Sequence, residues 1–403
     1  MKQTLAALVA PYRVFLRLPD VPAMIATAWL SRMPIGMNAL AILLFMRENL
    51  GNFQLAGSIV GTFFVAMAIA APVQGRLVDR IGPRLPLIVT GVLQPLLLTA
   101  LFIATINGAP VPALMVIAAA SGAFASPVTI LTRTTWRHRF EDENNRKMAY
   151  SIDSIMIEIN FTIGPLLVAA ITAASSARYA LATVIAISCI TVLIFFASPI
   201  LKYWKLEAPI ERHFLGPLTD GKLVALFSLT FGMTFCFGLM EVGYPAYGAA
   251  IHWVAFGGVL LALNAIGSAV GGFLYGALHS TYSLERQFTI ALAIMSAPLF
   301  LQSVVDQHAL FALVAFLAGV CIAPALTAQT LLVSRLAPAK YATEAFTWSS
   351  TFIVTGLGVG MAAGGAISEN YHVKAPFVLA GAIIALMAAL SLLMRPAPKI
   401  TAQ

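Results

Sequence analysis

Apolar residues in this chain come in long, nearly uncharged runs, not in alternating or amphipathic patches. A run of about 20 residues matches the hydrocarbon thickness of a bilayer. Twelve such runs predict helical spans over 21–46, 54–74, 86–107, 111–135, 148–173, 179–200, 222–247, 252–278, 287–305, 308–333, 345–368 and 375–394. Most links between them are short, as in Asn107-Gly108-Ala109-Pro110, so consecutive spans are antiparallel neighbours. The one longer polar segment, 201–220, carries Lys202, Lys205, Glu207, Glu211 and Arg212 at the middle of the chain. The pattern predicts an all-α membrane protein of twelve transmembrane helices. A six-helix bundle over 1–200 and a second over 221–403 are joined by a cytoplasmic linker at 201–220.

A faint duplication supports two related halves. Gly75-Arg-Leu77 closes the second span as Gly276-Ala-Leu278 closes the eighth. Ala149-Tyr-Ser-Ile-Asp-Ser154 opens the fifth as Ala345-Phe-Thr-Trp-Ser-Ser350 opens the eleventh, which sets Gly164 opposite Gly360. Repeated halves around a central site are a common transporter architecture.

Composition agrees: the 403 residues are 60% hydrophobic and only 10% charged, against roughly a quarter charged in a soluble domain. The net charge of +8 does not point to nucleic acid, because the basic residues sit in short clusters between apolar runs. Twenty Lys and Arg fall on the side of the N-terminus, among them Arg76, Arg133, Arg137 and Lys202. Only Arg47, Arg178 and Lys374 fall on the other, and Arg32 lies inside the first span. That bias places both termini in the cytoplasm and suits a bacterial inner membrane. Thr4 to Ala10 is too short for a signal-peptide core, and Arg13 and Arg17 follow at once, so the first span is expected to serve as its own uncleaved signal. Cys189, Cys236 and Cys321 lie in separate apolar runs and read as small buried hydrophobes. The six histidines are dispersed, and no phosphate-binding loop or metal-spaced cluster is present in the sequence. No cofactor, metal or enzymatic activity is expected.

The loop after the second span reads Gly75-Arg76-Leu77-Val78-Asp79-Arg80-Ile81-Gly82-Pro83-Arg84. Two glycines permit a tight turn. An acidic side chain can favour a helix N-terminus, and arginines can clamp carboxylates. Both in letters and in position the loop resembles the signature of the major facilitator superfamily. That resemblance implies a lock made by Gly75, Asp79, Arg80, Gly82 and Arg84, which holds the halves together on the cytoplasmic side when the transporter faces outward. The counterpart after the eighth span keeps Gly276 and Leu278 and lacks the acidic residue. Gly164-Pro165 in the fifth span resembles the core of a helix-packing motif in proton antiporters. Those families often carry an arginine four residues before a glycine of the fourth span; aligned on Gly122, that place is Ala118. The general texture is similar to the bacterial drug and sugar efflux branch.

Ionisable residues at bilayer depth are costly and mostly functional. Arg32 stands about 11 residues into the first span, roughly 16 Å deep. Glu158 lies as deep in the fifth span, with Asp153 shallower, so Glu158 is the deeper candidate partner of Arg32 and Asp153 the second. Five residues apart, the two carboxylates point about 140° from each other around the helix. Asp153 shares a stripe with Asn160 and Gly164. The matched sites in the eleventh span, Ser349 and Val354, carry no charge. Asn38 and Asn264 can line a cavity or bond across helices. Glu241 reads as interfacial. Aromatic stripes at Phe227, Phe231, Phe235 and Phe237 and at Phe346, Trp348 and Phe352 either pack or favour an amphipathic substrate.

The sequence thus predicts a secondary active transporter, working as a monomer among membrane lipids. It would export a small organic molecule by alternating access, with protons as the candidate coupling ion. Uptake or facilitated flux of a nutrient, peptide or siderophore is the alternative within transport, and a non-transporting membrane sensor is the alternative outside it.

Overall fold

The computed structural model describes residues 13–204, 216–277, 281–338 and 342–394. Most of the expected linker, 205–215, lies outside them. Among the described residues every regular element is helical. The first half holds α1 (Val21–Leu50), α2 (Phe53–Ile81), α3 (Arg84–Ile106), α4 (Val111–Ala123), α5 (Val128–Arg139), α6 (Glu143–Ala174) and α7 (Ala177–Ala197). The second holds α8 (Gly221–Ala250), α9 (Val254–Ala277), α10 (Leu284–Val304), α11 (His308–Val320), α12 (Ile322–Leu336), α13 (Ala342–Asn370) and α14 (Ala375–Ser391). Ten stretches are long and apolar enough to cross a membrane, with α11 and α12 counted together, and the shorter apolar helices α4 and α14 complete twelve crossings.

Two spans that the hydropathy pattern reads as continuous are broken, and they are the fourth of each half. The fourth breaks between α4 and α5 at Phe124-Ala125-Ser126-Pro127, and the tenth at Cys321 between α11 and α12. Proline accounts for the placing of the first break, because Pro127 has no N–H to continue the ladder. The freed groups of the fourth span are recaptured by side chains. Gln74 Nε2 donates to the Ala123 carbonyl at 2.6 Å, and the Ser126 N–H donates to Gln94 Oε1 at 3.3 Å. Cys189 corrects the expectation of three buried thiols: it is exposed, whereas Cys236 and Cys321 are buried.

Close helix approach depends on glycine, and it repeats between the halves. A Cβ on Gly36 of α1 would strike the Asn160 carbonyl of α6, and one on Gly164 would strike the Gly36 backbone. In the second half Gly360 of α13 meets Phe235 and Gly238 of α8 in the same way. Gly122 of α4 abuts Phe63 of α2, while Gly319 of α11 abuts Asn264 of α9. Phe63 and Asn264 hold the same place in their helices. The aromatic stripes serve this packing: Phe227 of α8 stacks on Phe352 of α13 at 5.5 Å.

Among the described residues the two halves touch chiefly at one end. Gly57 of α2 lies against Met361 and Gly365 of α13, and Gly258 of α9 lies against Ala169 of α6. Polar ties reinforce that end. The Phe53 N–H donates to Glu369 Oε2 at 2.8 Å, and Asn370 Nδ2 donates to Gln54 Oε1 at 3.0 Å. Gly75 stands eighteen residues after Gly57, and Gly276 eighteen after Gly258. That interval is about five turns, so each pair shares a helix face some 27 Å apart. Gly75 and Gly276 have nothing within 4 Å. The same two faces that join the halves at one end therefore have open space at these glycines at the other, where the loop after α2 begins.

Candidate functional site

The packing of α1 on α6 sets the site. Asp142 caps α6 by accepting from the Asn145 N–H at 2.9 Å. Two turns beyond Asp153, Asn160 Nδ2 donates to the Trp29 carbonyl of α1 at 3.2 Å, and Gly164 fits against Gly36. Arg32 falls between Trp29 and Gly36 on the same stripe. These contacts bring its guanidinium onto Asp153, with Nη1 donating to Oδ1 at 2.6 Å. Both side chains are almost wholly buried, at 2% and 1% exposure. Arg133, from α5, donates through Nε to the other oxygen, Asp153 Oδ2, at 3.2 Å, and is 52% exposed. One carboxylate is thus shared by two guanidiniums from different helices. Arg32 keeps two buried donors, Nε and Nη2, with no hydrogen-bond partner among the described residues.

Of the two carboxylates the sequence offers to Arg32, Asp153 is the one found on it. The Gly36–Gly164 contact points the Asp153 stripe at α1. The Glu158 side chain lies outside the described residues. Sequence reasoning gives Arg133 only as an orienting charge and misses its place in the site. Its signal is its position, six residues past Pro127, close enough to the break in the span to look back into the bundle.

The remaining candidates divide. Asn38 lines a small cavity of about 50 Å³ with Ser31, Gln94, Ser126, Ser188 and Thr191, room for a few waters. Asn38 Oδ1 and Ser31 Oγ are buried there with no partner. Phe63, Phe64 and Met67 form the apolar wall. Asn160 and Asn264 instead bond across helices, Asn264 Nδ2 donating to the Ala315 carbonyl at 3.0 Å. Pro165 lies beside Gly258, where the halves meet. Arg80, in the last turn of α2, and Arg84, the first residue of α3, are exposed. Gly82 takes φ 81°, a left-handed turn suited to glycine, as it ends α2. The Asp79 side chain is outside the described residues. Glu241 is half-buried on α8. A second cleft, open and about 320 Å³ in volume, is lined by Arg133, Thr134, Arg137 and Tyr150.

Two matched six-span bundles joined at one end, with a buried charge centre inside the first, are the architecture of a multi-pass membrane transporter. The chain belongs to the Major Facilitator Superfamily, whose sequence model matches residues 24–297 and, in a second match, 226–403. Among solved structures it is similar to the nucleoside transporter NupG, with a TM-score of 0.74 and 12% identity over 93% of this chain and 98% of that one. A mutant of the same transporter gives 0.71 and 12% identity over 92% and 98%. Likeness at that identity is a likeness of fold. No curated protein matches the sequence. The family implies a small molecule as the transported species.

Proposed function

We propose that the chain is a proton-coupled secondary transporter of a small organic solute, working by alternating access in a bacterial inner membrane. The observation that carries the reading is the pair of helix faces closed at Gly57 and Gly258 and open at Gly75 and Gly276. The basic loops put the open end in the cytoplasm. Phosphatase fused after Gln403 should then be inactive, and an active fusion would reverse the orientation. Asp153 is the coupling group. Both of its oxygens are engaged by arginines, so a proton arriving there removes the charge that holds Arg32 and Arg133. Positive groups become free for the solute once the proton has bound. Solute and proton then travel together, which favours uptake.

Export in exchange for protons is the second reading, supported by the Gly164-Pro165 resemblance to antiporters. The two differ in the sign of the gradient that drives flux. The test uses the protein in proteoliposomes with a ligand found by thermal shift, nucleosides included in the screen. Flux along an imposed proton gradient is expected for the wild type. Asp153→Asn keeps the shape and one acceptor oxygen, and should bind the ligand while losing the gradient dependence. Flux driven against the gradient establishes export. Unchanged gradient dependence in Asp153→Asn would remove Asp153 from coupling.

A further inference from the structure

We infer that the proton reaches Asp153 from the open cleft and binds at Oδ2, and that Arg133 is the side chain that admits or excludes it. The inference rests on the reading of Asp153 as the coupling group and adds the route and the residue that controls it.

The two arginines hold the carboxylate unequally. Arg32, on Oδ1, is 2% exposed, whereas Arg133, on Oδ2, is 52% exposed, and the carboxylate between them is 1% exposed. Arg133 also lines the cleft of about 320 Å³ with Thr134, Arg137 and Tyr150, and Asp153 does not. The Arg133 side chain therefore stands between the cleft and the carboxylate. Because successive spans alternate in direction, α5 ends and α6 begins at the end of the molecule where α2 ends. The cleft lies toward that end. Tyr150, one turn before Asp153 on α6, bonds the Arg133 carbonyl at 3.5 Å. Among the described residues no side chain other than Arg32 and Arg133 bonds Asp153. Of the other helices packed on α6, α9 carries no charged residue, and the one charge of α7, Arg178, lies in its first turn at the far end.

Opening is cheap on one side only. An exposed ion pair is worth at most about 1 kcal/mol. The Arg32 pair is buried, and breaking it strands a charge. A guanidinium does not give up its own proton, so Arg133 does not relay one; it moves aside. When it swings into the cleft, water follows to Oδ2. A hydronium ion gives its proton to Oδ2, the new O–H takes the place of the Nε–H···Oδ2 bond, and Arg133 stays charged among water. Oδ1 stays on Arg32 throughout.

The second half shows the same contact without charge. Gln329 of α12 donates through Nε2 to Ser349 Oγ of α13 at 2.8 Å, across the same interval of 20 residues that separates Arg133 from Asp153. Ser349 is the residue matched to Asp153 by the sequence duplication. Both members of that tie are buried, Gln329 at 0% and Ser349 at 5% exposure. Joining a broken span to the next one thus needs only a neutral hydrogen bond. The charged tie of the first half, half-open to the cleft, does something more than join helices.

A water-soluble carbodiimide activates a carboxylic acid only where it can reach it. Asp306, 94% exposed, is an internal reference in every sample. Purified full-length protein in neutral detergent is treated with the carbodiimide and glycine ethyl ester, and modification of Asp153 relative to Asp306 is followed by peptide mass spectrometry. Arg133→Ala should raise the Asp153 rate at least about fivefold, the factor that an exposed pair of about 1 kcal/mol withholds. Arg133→Lys, which keeps a charged stem over the carboxylate, should stay near the wild-type rate. Arg133→Gln copies the neutral tie of the second half, so it should fold even where Arg133→Ala does not, and it should also label faster than wild type. Arg32→Gln, on the buried side, should leave the rate unchanged. An unchanged rate in the folded Arg133→Ala or Arg133→Gln protein would overturn the inference. So would a rise in Arg32→Gln as large as that in the Arg133 variants. The readout needs neither solute nor gradient, so its failure stays distinct from failure of the coupling reading. Faster labelling beside flux that ignores the proton gradient supports the route and sinks only the coupling. Unchanged labelling beside gradient-driven flux sinks only the route.

Discussion

At the scale of single residues, the centre is one carboxylate between two guanidiniums, and its removal is asymmetric. Arg32→Gln leaves Asp153 still paired with Arg133. Asp153→Ala leaves Arg32 buried at 2% exposure with no acceptor among the described side chains. Breaking a buried pair and stranding one charge costs about 3–5 kcal/mol. Asp153→Ala should therefore lower the unfolding midpoint in detergent more than Arg32→Gln does. The double variant should recover most of the loss, as coupled neighbours do. Equal losses in the two single variants would mean that Arg133 does not hold Asp153. Arg32 is legible in the sequence, because a charge near the middle of an apolar run stands out. Asp153 is legible only as one of two candidate partners. Depth along a helix can be counted, but the face presented to a neighbour is set by a contact between distant glycines. Arg133 is hidden for a further reason: its role needs α5, and α5 is separate only because the span is broken.

At the scale of elements, the breaks in the fourth and tenth spans matter most. Irregular backbone at membrane depth persists only where other groups satisfy it. Gln74 and Gln94, one from α2 and one from α3, do so at 123–126. Gln74→Leu removes the donor to the Ala123 carbonyl and should cost about 1–3 kcal/mol. A lowered thermal midpoint would be read on the purified variant. An unchanged midpoint would show that the carbonyl finds water instead. Pro127 is visible in the sequence as a residue that can break a helix, yet the apolar run passes over it without a change in hydropathy. Helix existence is legible from a run of apolar residues; its continuity depends on tertiary partners that hydropathy does not record. The glycine pairs behave similarly. Gly164 and Gly360 match in sequence, but Gly122 and Gly319 emerge as equivalents only through Phe63 and Asn264, which pack against them.

At the scale of the molecule, twelve crossings in two matched bundles follow from apolar run length and can be read directly. Which end is open cannot, because two packings of one sequence can differ by only a few kcal/mol. The structure has the far end closed by Phe53–Glu369 and Gln54–Asn370, with open space around Gly75 at the other. The lock expected of that loop would act in the opposite state. Gly75→Cys in a cysteine-free background reports which state is populated. A Cβ at that position meets nothing here, so the introduced thiol is reachable when the loop end is open and shielded when it is shut. Asp79→Asn, which preserves shape and removes charge, should shift the population toward the open-loop state. It should speed maleimide labelling at position 75 and slow turnover while insertion and folding persist. In a separate sample, Gln54→Cys and Asn370→Cys, joined by a short bifunctional thiol reagent, should hold the far end shut and stop transport. If cross-linking at 54 and 370 leaves transport intact, the far end does not open in the cycle. If Asp79→Asn changes neither labelling nor turnover, the loop only orients the chain in the membrane.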